Sequence, residues 1–183
     1  MVVDSKERVK VWNTFFKLAR EQAVSLDNNI LGKSEVSSYS FKGGTLNKDE
    51  ILSLQIVSWC ILALQAREAH LIDELREQDK ITAAEASALH HLGIKEQWDL
   101  LPKMAGFNNS IRYDRVPHQV IRELDGLRNN LFHVNYDKLV SVLPKGKKAV
   151  SIFNQFVVAM EDMNVILKRH RKPWKRVLAI QVK

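Results

Sequence analysis

The 183-residue chain is 45 % hydrophobic and 27 % charged, with seven glycines and four prolines, a balance that argues against a many-turned β fold. One chain of this length buries about 70 % of its unfolded surface as a single domain, and its lone Cys60 makes no internal disulfide, as in a reducing compartment. The net charge of +7 lies wholly in the last quarter: from Asp137 onward there are 11 Lys/Arg against 3 Asp/Glu, whereas the first 136 residues hold 17 against 18.

Residues MVVDSKERVK are charged within four positions and lack the apolar run of a signal peptide. Asp4 and Glu7 form a capping pair for a first helix, in which Val9, Trp12, Phe16, Ala19, Ala23 and Leu26 recur at steps of three and four. Residues 27–47, rich in Gly, Ser and Asn, read as a loop, with Gly43-Gly44 as a turn signal. Asn47 and Glu50 open a second helix that runs to about Asp79. Its first half, ILSLQIVSWCILAL, is apolar on nearly every side, which marks a central helix or one covered by a second subunit. The most apolar stretch, residues 51–64, carries Ser53, Gln55 and Ser58 and is too short to span a bilayer, so a soluble cytoplasmic protein without a membrane partner is expected.

Thr82-Ala-Ala-Glu85 is a capping box for a short helix over residues 83–92 that Gly93 stops, and Glu96 to Leu101 adds a turn before Pro102. Pro117 begins a helix that reaches about Leu143, and a last helix covers residues 149–169 with Ile152, Phe156, Ala159, Met163 and Ile166/Leu167 inward. No strand and no internal repeat is evident. The expected fold is all-α, a bundle of four to five helices in one domain spanning 1–183, with a basic tail over 168–183. That tail packs Lys168, Arg169, Arg171, Lys172, Lys175 and Arg176 around Trp174. Such a stretch neutralises nucleic-acid phosphates while the indole stacks on a base; it equally suits a solvated chain end.

The 117–143 helix holds the residues of most chemical interest. With Leu127 at zero and about 100° per residue, Val120, Leu124, Leu127, Leu131 and Val134 form a core stripe between about −20° and 60°. Arg128 falls at about 100°, Phe132 at about 140°, Tyr136 at about 180°, Asn129 at about 200° and His133 at about 240°. A plain solvated face carries Lys and Glu; this one carries Asn129, His133, Phe132, Tyr136 and Gly126, with Arg128 on its flank. Gly126 in mid-helix costs about 1 kcal/mol relative to Ala, which close approach of another backbone offsets. A second subunit is the expected cover, in a two-fold homodimer. The set is also chemically coherent. An imidazole exchanges a proton near neutrality, a guanidinium stabilises the added charge of a pentacoordinate phosphate, and an amide orients either group.

Arg128-Asn129-x-x-x-His133 resembles the R-x4–6-H signature of the HEPN superfamily (higher eukaryote and prokaryote nucleotide-binding domains), over roughly residues 48–170. The resemblance implies a helical bundle that dimerises around this helix. It also implies metal-independent RNA cleavage through a 2′,3′-cyclic phosphate, as in toxin–antitoxin and abortive-infection systems, with no cofactor. Arg128 and His133 would then be catalytic and Asn129 assisting, with an antitoxin or a nucleotidyltransferase as partner. In a toxin branch of that superfamily a tyrosine stands two residues after the histidine; here that position is Asn135, and the tyrosine is Tyr136. The alternative is a non-catalytic helical module that binds RNA or a partner protein through the same residues.

Elsewhere the residues read as structure. Glu68 and His70 on the central helix approach the 117–143 helix, or form with Arg67 a polar stripe that ends the buried part. His90-His91 suit the negative end of a helix dipole, and no Cys or carboxylate stands at metal-ligand spacing to them. No phosphate-binding glycine loop is present.

Overall fold

The computed structural model describes residues 5–30, 38–41, 44–107, 111, 114, 118–132 and 141–167. Within them the elements are α1 (Ser5–Ile30), β1 (Ser38–Phe41), β2 (Gly44–Asn47), α2 (Lys48–Glu77), α3 (Ala83–His90), α4 (Ile94–Met104), α5 (Gln119–Phe132) and α6 (Lys147–Ile166). The fold is predominantly helical, as expected, with one correction. Part of the 27–47 loop is an antiparallel hairpin, Ser38 opposite Asn47 and Phe41 opposite Gly44. Tyr39, Phe41 and Leu46 alternate with polar residues around Gly43-Gly44, a hairpin pattern the loop reading passed over. Leu46 of β2 is buried, and β2 packs on α2.

Two of the three expected capping pairs form, and Asp4 of the third lies outside the described residues. The Asn47 side chain accepts from the Glu50 backbone N–H at 2.9 Å while Glu50 accepts from the Asn47 N–H at 3.1 Å; Thr82 and Glu85 repeat the arrangement at the start of α3. Lys145 reaches Glu50 at 2.7 Å, and this partner, together with the Asn47 backbone, holds the Glu50 carboxyl below its usual range.

Among the described elements, α2 packs against every other helix and β2. By length and composition it is the one described helix long and apolar enough to cross a membrane, yet its apolar sides are shared out among neighbours. Trp12, Phe16, Ala19, Ala23 and Leu26 of α1 are all buried, as their spacing predicts, and Phe16 meets Phe153 and Phe156 of α6. Where α2 leaves that core, Leu71, Ile72 and Leu75 join Ile81, Ala86, Leu89 and Leu101 in a second cluster under α3 and α4. Burial therefore does not end at Arg67, Glu68 and His70: all three are buried themselves, and the helix stays buried to Leu75.

Helix boundaries also differ from expectation: α1 runs on to Ile30, into the stretch read as a loop. Gly93 is the N-cap of α4 rather than only the stop of α3, and α4 continues through Pro102 to Met104. A proline this close to a helix end removes only one ladder hydrogen bond, and the helix closes just beyond it. Gly106, at φ 85°, donates to Lys103 O at 2.9 Å and Phe107 donates to Pro102 O at 2.9 Å. This six-to-one closure requires a left-handed residue, which glycine supplies without strain.

Candidate functional site

α5 presents more of its circumference to the bundle than its leucine stripe suggests. Val120, Leu124 and Leu127 are buried as expected, but so is Ile121, seven residues before Arg128 and on the same side of the helix. Arg128 is accordingly half-buried and turned inward, a correction to its place on the flank of an outer face. Asn129 and Gly126 are exposed; a Cβ at Gly126 would meet nothing within 4 Å. Consecutive residues on a helix diverge by about 100°, so Arg128 and Asn129 serve different surfaces of this protomer. Asn130, next along, donates to the Gly126 carbonyl at 3.1 Å and adds nothing to the site.

The inward side of Arg128 is a cavity of ≈ 190 Å³ between α2, α5 and the α3–α4 junction, lined by Gln65, Glu68, Ala69, His90, Leu92, Ile94, Gln97 and Arg128. Glu68 is 0 % exposed, and neither of its carboxylate oxygens has a hydrogen-bond partner among the described residues. Burial pushes its carboxyl well above the usual range; the negative charge of Asp125 adds to this and Arg128 opposes it. Asp125, three residues before Arg128, is also raised, first by burial and then by Glu96. Arg128, the Ile94 backbone N–H and Lys95 oppose the rise. Asp125 thereby accepts a hydrogen bond from the open N-terminus of α4, whose own N-cap residue, Gly93, has no side chain to offer. A Cβ at Gly93 would run into the Glu96 carboxylate, so the glycine allows the two acids to close over that helix start.

The structure thus brings Glu68 and Arg128 together, and adds Gln65, Gln97, Asp125 and Glu96, which the sequence reading did not single out. Ile121 was the available signal, since an isoleucine one seven-residue step before Arg128 marks that side as covered. His90, the last residue of α3, lines the cavity and stands 4.0 Å from Asp73. Among the described residues no group of three or more His, Cys, Asp or Glu is arranged to hold a metal ion. His133, Tyr136, the Phe132 side chain and Lys168, Arg169, Arg171, Lys172, Trp174, Lys175 and Arg176 lie outside the described residues.

His118, just before α5, orients that helix. Trp98 of α4 donates its indole N–H to His118 Nδ1 at 3.4 Å, and Nε2 lies 3.7 Å from Asp162 of α6. Burial holds the imidazole below its ordinary value, with Asp162 opposing, so it is neutral at pH 7 and positions α5 between its neighbours. No family model, no curated protein and no solved structure matches the chain.

Proposed function

We propose that this chain is a metal-independent endoribonuclease of the HEPN type, acting as a homodimeric toxin or antiphage effector. The reading is supported by the place of Arg128, a guanidinium that lines a cavity and whose charge acts on two acids, Glu68 and Asp125. In the reaction the 2′-oxygen of the RNA attacks the adjacent phosphorus and the bond to the 5′-oxygen breaks. His133 takes the 2′-hydroxyl proton, an imidazolium proton goes to the leaving 5′-oxygen, and the products end in 2′,3′-cyclic phosphate and 5′-hydroxyl. Arg128 stabilises the charge gathered on the phosphoryl oxygens, and Asn129 orients a phosphate oxygen or the imidazole. The surface around Gly126 and Asn129 is where a second copy would dock, and the basic residues 168–176 would hold the RNA backbone. An antitoxin or nucleotidyltransferase would be the restraining partner in the cell.

The test is RNA cleavage in EDTA by the wild type, Arg128→Ala and His133→Ala. Cleavage by the wild type alone, with cyclic phosphate ends, is expected; equal activity in all three removes the proposal. Overexpression should arrest growth, and His133→Ala should relieve the arrest.

A second reading draws on the inward turn of Arg128, which is also where an arginine of purely structural use would sit. On that reading the chain is a non-catalytic module that binds RNA or a partner protein. Arg128→Ala then lowers stability or binding, and no variant cleaves.

A further inference from the structure

We propose that His118 and Trp98 form an acid-released latch that holds the start of α5 against α4. The inference stands apart from the ribonuclease reading and uses none of the residues assigned to it.

The latch rests on which atom donates. Trp98, 0 % exposed, gives its indole N–H to Nδ1 of His118 at 3.4 Å. An indole nitrogen only donates, so Nδ1 presents a lone pair and the ring proton sits on Nε2, 3.7 Å from the Asp162 carboxylate of α6. The backbone of the same residue begins the helix, since the His118 carbonyl accepts from the Ile121 N–H at 3.1 Å. His118 therefore ties α5 to α4 through one ring nitrogen and faces α6 with the other.

A second proton on the ring undoes this arrangement. Both nitrogens of an imidazolium are donors, so Nδ1–H would point at the indole N–H. Trp98 is wholly buried and His118 is 8 % exposed, so solvent is poorly placed to take the indole proton instead. A buried donor that loses its acceptor disfavours the packed state.

The surrounding charges leave His118 as the group that responds. Burial disfavours the imidazolium, and Asp162, the charge that acts on the ring, favours it. On α4, Lys95 and Asp99 lie 3.6 Å apart and face each other. On α5, Arg122 is exposed and Glu123 meets Lys148 of α6 at 3.4 Å. The folded ring titrates below the ordinary 6.5, so the latch is fully closed above about pH 6.5 and weakens as pH falls through the folded value.

The latch holds more than a helix start. Ile94 and Gln97, the latter next to Trp98 on α4, wall the cavity that Arg128 of α5 borders. Acid that parts α4 from α5 therefore loosens this cavity as well.

The experiment is proton–nitrogen NMR of the full chain from about pH 8 to about pH 4.5, following the Trp98 indole N–H and the His118 ring, with hydrogen exchange over the same range. The Trp98 resonance should shift with the midpoint of the His118 titration. Protection of α5 from Ile121 onward should fall about fivefold across that midpoint, while protection of α2 holds. Trp98→Phe, which removes the donor, should move the His118 titration to higher pH; Asp162→Asn, which removes the anion, should move it lower. A Trp98 resonance that ignores the His118 titration overturns the latch. So does a Trp98→Phe protein whose His118 titrates at unchanged or lower pH, or a loss of protection in all helices at once. Should Trp98→Phe fail to fold, the wild-type resonance and exchange pattern decide alone.

Discussion

Arg67 and Glu68 are neighbours in the chain, and both are buried on α2, yet they face opposite situations. Arg67, 2 % exposed, donates to Asn164 of α6 at 2.8 Å and lies 5.3 Å over the ring of Trp12 of α1. One nitrogen of its guanidinium meets an acceptor and its face meets an aromatic ring, so it joins three helices, although Nη1 makes no hydrogen bond among the described residues. Glu68, turned about 100° away, meets a cavity, an arginine and a second acid, and neither oxygen has a hydrogen bond. The α1–α2–α6 side thus gives its charge a partner, whereas the α2–α4–α5 side buries an acid without a hydrogen bond. A buried charge with a partner keeps its charge, whereas burial raises the carboxyl of an acid that has none.

The largest expected effect tests the satisfied side. Arg67→Ala removes a charge-assisted hydrogen bond and a desolvated cation–π contact, and should lower the unfolding free energy by about 3 kcal/mol in urea titration. A loss within experimental error would mean that Arg67 adds no more than Glu68 does, and the contrast between the two sides would vanish. Next comes the chemistry proposed for the α2–α4–α5 side: on that proposal Arg128→Ala should reduce RNA cleavage in EDTA by about 100-fold or more, with far-ultraviolet circular dichroism unchanged.

Glu68→Gln sharpens the comparison through pH. The Glu68 carboxyl is raised above its ordinary value of 4.5, so the folded chain holds a proton that the unfolded chain releases. Stability linked to that proton is complete below about pH 4.5 and is lost as pH rises through the folded value. Glutamine has no such loss. The melting temperature of the variant should therefore exceed that of the wild type by a margin that widens from pH 5 to pH 8; a margin that narrows would contradict the buried acid. His118, lowered from 6.5, acts in the opposite sense, stabilising above pH 6.5 and losing this as pH falls. It is common to both proteins and cancels in the difference.

The smallest effect concerns the exposed face of α5. Open space surrounds a Cβ at Gly126 within the protomer. Gly126→Ala should therefore stabilise an isolated chain by about 1 kcal/mol. If a second copy packs there, the same change should weaken the dimer in sedimentation equilibrium instead.

Helix starts and inward faces were legible from residue types alone because their causes are local. Asn47 with Glu50 and Thr82 with Glu85 satisfy the backbone within one turn, and the steps from Trp12 to Leu26 or from Ile152 to Met163 define a side wherever the helix lies. The hairpin was missed because its strands are only four residues each, below the length at which alternation stands out from a loop. α4 was read short because Pro102 ends a helix by rule, whereas the Gly106 closure and the burial of Trp98 and Leu101 carry it through.

The candidate site divides the same way. Periodicity and residue chemistry singled out Arg128, Asn129, His133 and Glu68, since a lone arginine–histidine pair on a helix is visible in one dimension. Which way Arg128 points was decided by α4 and α2, which cover the Ile121 side of α5 and close a cavity against residues some 60 positions earlier in the chain. The partner of Arg67, the solitude of Glu68 and the Asp125 cap on α4 likewise arise only when distant helices meet. Local sequence sets where each helix begins and which residues avoid water; desolvation and charge proximity depend on distances that only packing creates.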